Sequence, residues 1–556
     1  MKTSYFTLIA ATLGASALTS CVEEVFPTSG MVQSQLEGSP KATEAVVMGM
    51  PAYLNICDIM NNDQAYDWGN PALMHVRDLM TEDMCAPTIG YNWFTTWSSV
   101  RESIGAEYMA TQWVWLSFAK QVQTTNLAVA AVDPDTDNPV LRSYLGAAHA
   151  FRASVYMDWA RMYEFMPNIY SDGKSIYGNS VVGLTVPIVT ENTTEEESRN
   201  NPRRTHAEIV EFIKSDLEKA IELMSSNCAA RPSKILPDLS VAYGLMARLN
   251  MWDASYYDME YNVPEGDAAK AAAGYAEALK YAELAQAGYT PTTEEEWLST
   301  ATGFNDISTP SWMWGQQYVK EDDAVQTALL NWVSWLCNEA EFGYASAGVW
   351  VQIGASLYNQ INDRDFRKLT FVAPEGSPLE SRVTFLNQEF AEENFQPYYS
   401  VKFRPGSGVT TDYQTSCVVA VPLMRVEEMY LIAAEAAAHA DPEAGKAKLE
   451  SFMKAYRFNT YKCYASSKEN VINEIVLQKR IELWGEGQTF FDVKRLNMDV
   501  TRAYNGSNFN WGADTYNTNG RPAWMNFVIV RSEGDNNRAI EKYNNPSPYD
   551  LMKPVN

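Results

Sequence analysis

Near its C-terminal end the chain gathers Glu482, Glu486, Asp492 and Arg495 into one short run. Paired carboxylates beside a cation are the raw material of general acid–base chemistry. On a helix, however, Glu482 and Glu486 lie one turn apart on one face, within reach of neighbouring Arg or Lys. That spacing predicts packed, paired charges. A glycosidase needs two carboxylates about 5 to 10 Å apart across a cleft, and among 69 acidic residues such a pair can always be imagined. No catalytic residue is assigned.

The other reactive types are thinly spread. His75, His149, His206 and His439 show no metal-ligand spacing, and His149 and His439 fall inside predicted helices as packed or solvated side chains. Asp133-Pro134-Asp135-Thr136-Asp137 imitates the start of a calcium loop, but Asn138 stands at the sixth position and Tyr144 at the twelfth, where glycine and glutamate belong. A helix-connecting turn is expected there. A structural calcium elsewhere is not readable, and no metal or cofactor is assigned. Cys57, Cys85, Cys228, Cys337, Cys417 and Cys463 lack C-x-x-C spacing, so neither a zinc site nor a redox pair is indicated, and spacing cannot say which would pair. There is no Walker loop, dinucleotide fingerprint or nucleophile elbow.

Binding chemistry is better supplied. The chain carries 31 Tyr and 16 Trp, and aromatic faces at a surface hold sugar rings or peptide side chains. Most of them are expected in the core. The formal net charge of -26 excludes a phosphate-backbone partner, which needs a basic stripe, and argues against docking on anionic lipid.

The elements that must position these residues are mainly helical. Arg425 to His439 has Val426, Met429, Tyr430, Ala433 and Ala437 on one face. Asp441-Pro442 reads as an N-cap followed by proline at the first helical position, opening a second helix to Arg457. A third runs from Ser467 to Trp484 and stops at Gly485 and Gly487. Further helices are read over Pro40–Asp58, Tyr108–Val132, Leu141–Met166, His206–Ser226, Ser240–Ser255 and Lys270–Gly288, with small-residue faces like those of tetratricopeptide units. Asp78–Ser99 reads as a polar loop carrying Trp93 and Trp97, and Val181–Val189 as a strand or extended segment.

Residues 1–20 form a signal peptide, too short and too rich in Ser and Thr to span a bilayer. Leu18-Thr19-Ser20-Cys21 looks like a bacterial lipobox, which makes Cys21 the lipidated first residue of the mature chain. Residues 21–39 are then a tether, 40–288 a helical-repeat region, 289–420 a Trp-rich lobe punctuated by Gly and Pro, and 421–556 the C-terminal helices and tail.

The run Val421–Asn497 carries a resemblance. Arg425, Glu428, Met429, Tyr430, Leu431, Ala434, Glu435 and Ala436, then Glu482, Leu483, Glu486, Gly487, Phe490, Phe491, Asp492 and Arg495, match in order the C-terminal signature of the SusD/RagB family. Gln478, Gly485 and Thr489 depart from it. The chain thus resembles the outer-membrane nutrient-binding lipoproteins of Bacteroidetes, and Glu23 and Glu24 are similar to their surface-export signal. The resemblance implies a mainly α fold, a tetratricopeptide-like scaffold with an irregular lobe. It implies a non-catalytic, surface-exposed lipoprotein, anchored in the outer membrane through Cys21, that captures oligosaccharide and hands it to a SusC-like TonB-dependent transporter. Family ligands are gripped by the first long loop and the later lobe. By position this points to Arg77, Asp83, Asn92, Trp93 and Trp97 in and around the first, and to Trp312, Trp314, Tyr344 and Trp350 in the second. The alternatives are a peptide-binding family member, a surface glycan hydrolase, and a scaffold whose repeats bind only protein.

Overall fold

The structure, a computed structural model, describes residues 40–87, 89–509 and 516–552. The signal peptide, the tether and Cys21 lie outside the described residues. Among these, ten helices have ten or more residues: α1 (Pro40–Tyr53), α2 (Asn70–Leu79), α3 (Met109–Ala130), α4 (Pro139–Tyr163), α5 (His206–Ser225), α6 (Leu239–Tyr257), α7 (Ala268–Ala285), α8 (Val426–Ala440), α9 (Pro442–Tyr456) and α10 (Lys468–Glu482).

Local sequence sets their ends. Asn138 caps α4, its side chain accepting from the Val140 and Leu141 N–H groups, with Pro139 at the first helical position. Asp133–Asp137 is accordingly the turn joining α3 to α4, tied by the Asp135 N–H donating to Asp133 Oδ1 at 3.0 Å. Thr205 and Glu208 close a capping box on α5. Asp441 caps α9 as its position before Pro442 predicts. After α10, Gly485 and Gly487 take φ of 77° and 69°, the left-handed region open to glycine.

Successive helices α3 to α10 pack on one another as a stack of helical hairpins, the tetratricopeptide-like scaffold. Small residues allow the close approach. A Cβ on Gly274 of α7 would stand 2.9 Å from the Ala254 Cβ of α6, and one on Gly445 of α9 only 2.4 Å from that of Ala438 on α8.

Strands are short. β1 (Met84–Cys85) pairs antiparallel with β3 (Gln352–Ile353), and β2 (Trp312–Gln317) with β4 (Ala420–Arg425). These ladders tie the first loop and the lobe to the scaffold, and one hydrophobic core runs from Val47 to Met552 through all three.

One local expectation is corrected and one helix is added. Asp78–Ser99 is not a polar loop: it holds the end of α2, β1 and a short helix, Thr95–Ser98, and most of it is buried. Ahead of it, α2 lacks a counterpart in the sequence reading, although Gly69-Asn70-Pro71 is a helix start. Val181–Val189 is extended as read, making isolated bridges from Val182 to Phe165 and from Leu184 to Thr205.

Candidate functional site

The carboxylates that imitate a catalytic set are the ionic centre of the core. Glu482, with a fully buried side chain, accepts from Arg457 Nη2 at 2.7 Å, Arg367 Nη1 at 2.9 Å and Arg425 Nη1 at 3.1 Å. Burial pushes its pKa up, and Arg457, Arg425 and Arg367 more than reverse this, holding it well below the carboxylate range. Glu486 accepts from Arg425 Nε at 2.9 Å and Lys402 Nζ at 2.8 Å. Arg495 bonds Glu435 at 2.7 Å and Asp492 at 2.9 Å. Every partner is a protein group already paired, so the set is structural.

The histidines are likewise interior. His149 Nδ1 lies 2.8 Å from Asp216, His206 sits between Glu164 and Asp253, and His439 stacks on Tyr275 at 3.5 Å. His75 is buried among Trp68, Phe94 and Trp335, and burial lowers its pKa to about 3. No disulfide joins any two of the six cysteines among the described residues. No group of His, Cys, Asp or Glu among the described residues could hold a metal ion.

Most of the residues expected to grip ligand are also interior, because the segments that carry them pack against the scaffold. Arg77 is paired with Asp158 at 2.8 Å, and Asp83 with Arg480, whose Nε lies 3.0 Å away. Asn92 holds its own turn, donating to the Pro87 carbonyl at 2.8 Å and accepting from the Phe94 N–H at 3.2 Å. Trp97 is edge-packed on Tyr66 and Trp113, with ring centroids 5.1 and 5.6 Å away. Trp312 and Trp314 are core residues of β2, and Trp314 meets Phe151 edge-on at 5.0 Å while its Nε1 donates to the Ile235 carbonyl at 3.1 Å. Tyr344 is half-buried and stacked on Trp335 at 4.1 Å, and Trp350 is half-buried against Phe395 and Tyr399.

Trp93 is different. Phe94 and Trp97, three residues apart on one turn, face inward and anchor Thr95–Ser98 in the core. Trp93 and Thr96, on the opposite side, are turned out, and Trp93 is 41% exposed. It lines an open cleft of about 520 Å³. Gln64 and Tyr66 come to this cleft from the α1–α2 connection, Ile89 and Asn92 from the first loop, and Arg101, Ser103 and Tyr108 from the approach to α3. None of the four lobe residues lines it. The Ser103 hydroxyl donates to Thr96 Oγ1 at 3.2 Å, fixing one wall. Tyr108 is half turned to solvent, and its hydrogen bond with Glu102 raises its pKa.

The cleft therefore offers the faces of Trp93 and Tyr108 beside the amide of Gln64, the hydroxyls of Thr96 and Ser103 and the guanidinium of Arg101. Such a set can stack a ring and hydrogen-bond its edge. Gln64, Arg101, Ser103 and Tyr108 are not legible as site residues in sequence, since only tertiary packing brings them to Trp93. Tyr108 had the nearest thing to a signal, an aromatic at the N-cap of a long helix.

Comparison with known proteins agrees with the sequence resemblance. The SusD family model matches residues 357–552. A second family model, described as starch-binding and associating with outer membrane, matches residues 36–251. No curated protein matches the chain. A SusD-like carbohydrate binding protein from Bacteroides vulgatus shares the fold at 20% identity and a TM-score of 0.67, the match covering 92% of this chain and 98% of that one. A SusD superfamily protein from Bacteroides thetaiotaomicron gives 16%, 0.64, 91% and 100%, and another from Bacteroides vulgatus gives 17%, 0.65, 91% and 99%. With both ends of the chain matched and the charged signature built into its core, the chain belongs to the SusD family, whose members associate with the outer membrane.

Proposed function

We propose that the chain is a surface-exposed lipoprotein, anchored in the outer membrane through Cys21, that captures oligosaccharides and delivers them to a SusC-like TonB-dependent transporter. The observation that carries this reading is the exposed ring of Trp93 in an open cleft whose polar side chains are amides, hydroxyls and one guanidinium, beside the apolar Ile89, Met109 and Ala110. The starch-binding description of the N-terminal family model supports a glycan as the ligand. The anchor and the transporter rest on the lipobox and the family resemblance. No helix among the described residues is long and apolar enough to cross a membrane.

Binding is favoured over hydrolysis by the chemistry of the lining. None of the residues lining the cleft is Asp or Glu, whereas glycoside hydrolysis uses a pair of carboxylates. Stacking fits neutral sugar rings at least as well as peptide side chains, and the lining lacks the acidic groups that would select cationic peptides. The test is a panel of neutral glycans incubated with the pure protein. Retention of a glycan without new reducing ends, together with co-purification of a barrel protein from the native membrane, is the expected result. New reducing ends, or retention of peptides and no glycan, would overturn it.

A further inference from the structure

The cleft at Trp93 does not stand alone. Its wall of Arg101, Ser103 and Tyr108 belongs to an exposed ridge, and Ala106 and Glu107 of the same ridge line a second groove of about 440 Å³. Opposite them stand the turn that carries Ile176 and Tyr177 and the C-terminal stretch around Ile529 and Asn544. Ile176 and Tyr177 are 87% and 55% exposed.

These apolar side chains sit on a built turn. The Ser175 N–H donates to the Asn179 carbonyl at 2.9 Å, and the Ser175 hydroxyl and Asn179 amide both donate to the Lys542 carbonyl, at 2.7 and 3.1 Å. The far wall is equally fixed, with Asn544 donating to the Ile529 carbonyl at 2.7 Å and accepting from its N–H at 2.8 Å. An exposed isoleucine and tyrosine held in place beside a groove mark a contact surface more often than a lone apolar residue does.

The ridge between the two spaces is itself aromatic. Tyr549, 46% exposed, lies on the short helix Pro548–Leu551, which packs against Glu102–Ile104 and brings it within electrostatic reach of Tyr108. Exposed rings thus occur in the first cleft (Trp93), on the ridge (Tyr108 and Tyr549) and in the second groove (Tyr177). Charge narrows the ligand. Arg531 is paired with both Glu107 at 2.9 Å and Asp535 at 3.7 Å, so a single cation stands against Glu107, Asp535 and Glu541 and the second groove is net acidic, on a chain of net charge -26. A polyanionic chain would be repelled.

We infer that the second groove continues the first, and that the ligand is an extended, uncharged polysaccharide chain crossing the ridge at Tyr108 and Tyr549. This rests on the reading of the Trp93 cleft as a glycan site. The run Arg101–Tyr108, whose residues line both spaces, is the observation that commits the second groove to the same occupant.

The experiment titrates the full chain with length ladders of α-glucan, β-glucan, xylan and mannan, and with a polyuronate ladder. On the neutral ladder that is retained, affinity is expected to rise by about tenfold once the glycan is long enough to cross the ridge, the scale of one or two added aromatic contacts. Tyr177→Ala and Tyr549→Ala remove that rise and leave the shortest retained member and the unfolding midpoint unchanged. Equal affinity for short and long members, a rise that survives both substitutions, or preference for the polyuronate overturns the inference while the Trp93 cleft stands. Retention of no ladder at all overturns the glycan reading of that cleft, and this inference with it.

Discussion

Asp83 and Arg480 form a buried ion pair although 397 residues separate them in the chain. The sequence reading offered Asp83 to a ligand. The structure uses it as the strut that ties the first loop to α10, with Glu82 accepting from the same guanidinium at 2.6 Å. Removing one member of a buried pair leaves the other charge unbalanced. Arg480→Met is therefore expected to cost about 3–5 kcal/mol of stability, read as a lower urea midpoint. A midpoint unchanged from wild type would show that the strut carries no load.

Glu482 sets an acid limit. Folding lowers its carboxyl below the ordinary value of 4.5, despite the opposing effect of burial, because Arg457, Arg425 and Arg367 converge on it. The unfolded chain therefore binds the proton first. The contribution is complete above about 4.5 and is lost as pH falls through the folded value. Glu482→Gln is expected to lower stability at neutral pH by about 3–5 kcal/mol and to flatten the acid limb. Urea midpoints measured across the acid range check both effects.

His206 works in the opposite direction. Burial lowers its pKa, but Glu164, 2.7 Å from Nδ1, and Asp253, 3.1 Å from Nε2, outweigh that and raise it above 6.5. Both nitrogens can donate only in the imidazolium form. Its stabilisation is complete below about 6.5 and is lost as pH rises through the folded value. His206→Gln should remove that alkaline-side decline. The resonance that disappears in His206→Gln, if it titrates below 6.5 in the folded wild type, would contradict the assignment.

Trp314 separates packing from binding. Buried in β2 against Phe151, it offers no face to a ligand. Trp314→Ala is expected to cost about 3–5 kcal/mol through the cavity it leaves, while the protein that remains folded keeps its glycan affinity. Equilibrium unfolding beside a titration of the folded fraction distinguishes the two effects.

What could be read from sequence follows from how local the signal is. Asp441-Pro442, Thr205 with Glu208, and Gly485 announce helix ends because capping and left-handed turns involve neighbours only. The charged run around Glu482 and Glu486 is readable as paired charge from helical spacing alone, but Arg367, Arg425 and Arg457 reach it through tertiary packing. The same limit applies to the tryptophans. Trp93 and Trp97 sit in one short stretch, and only the anchoring of Phe94 and Trp97 against Trp113, Tyr66 and Trp335 decides that Trp93 faces out. Composition marks the lobe as aromatic, yet Trp312, Trp314, Trp332 and Trp335 are spent on its core.

The central claim is that Trp93 holds a sugar ring. Isothermal titration of the wild type and of Trp93→Ala with whichever neutral glycan the protein retains tests it most directly, with the unfolding midpoint measured alongside. The account predicts affinity weakened by about tenfold or more at an unchanged midpoint, as expected for loss of a large exposed stacking face. Equal affinity in the two proteins would contradict it.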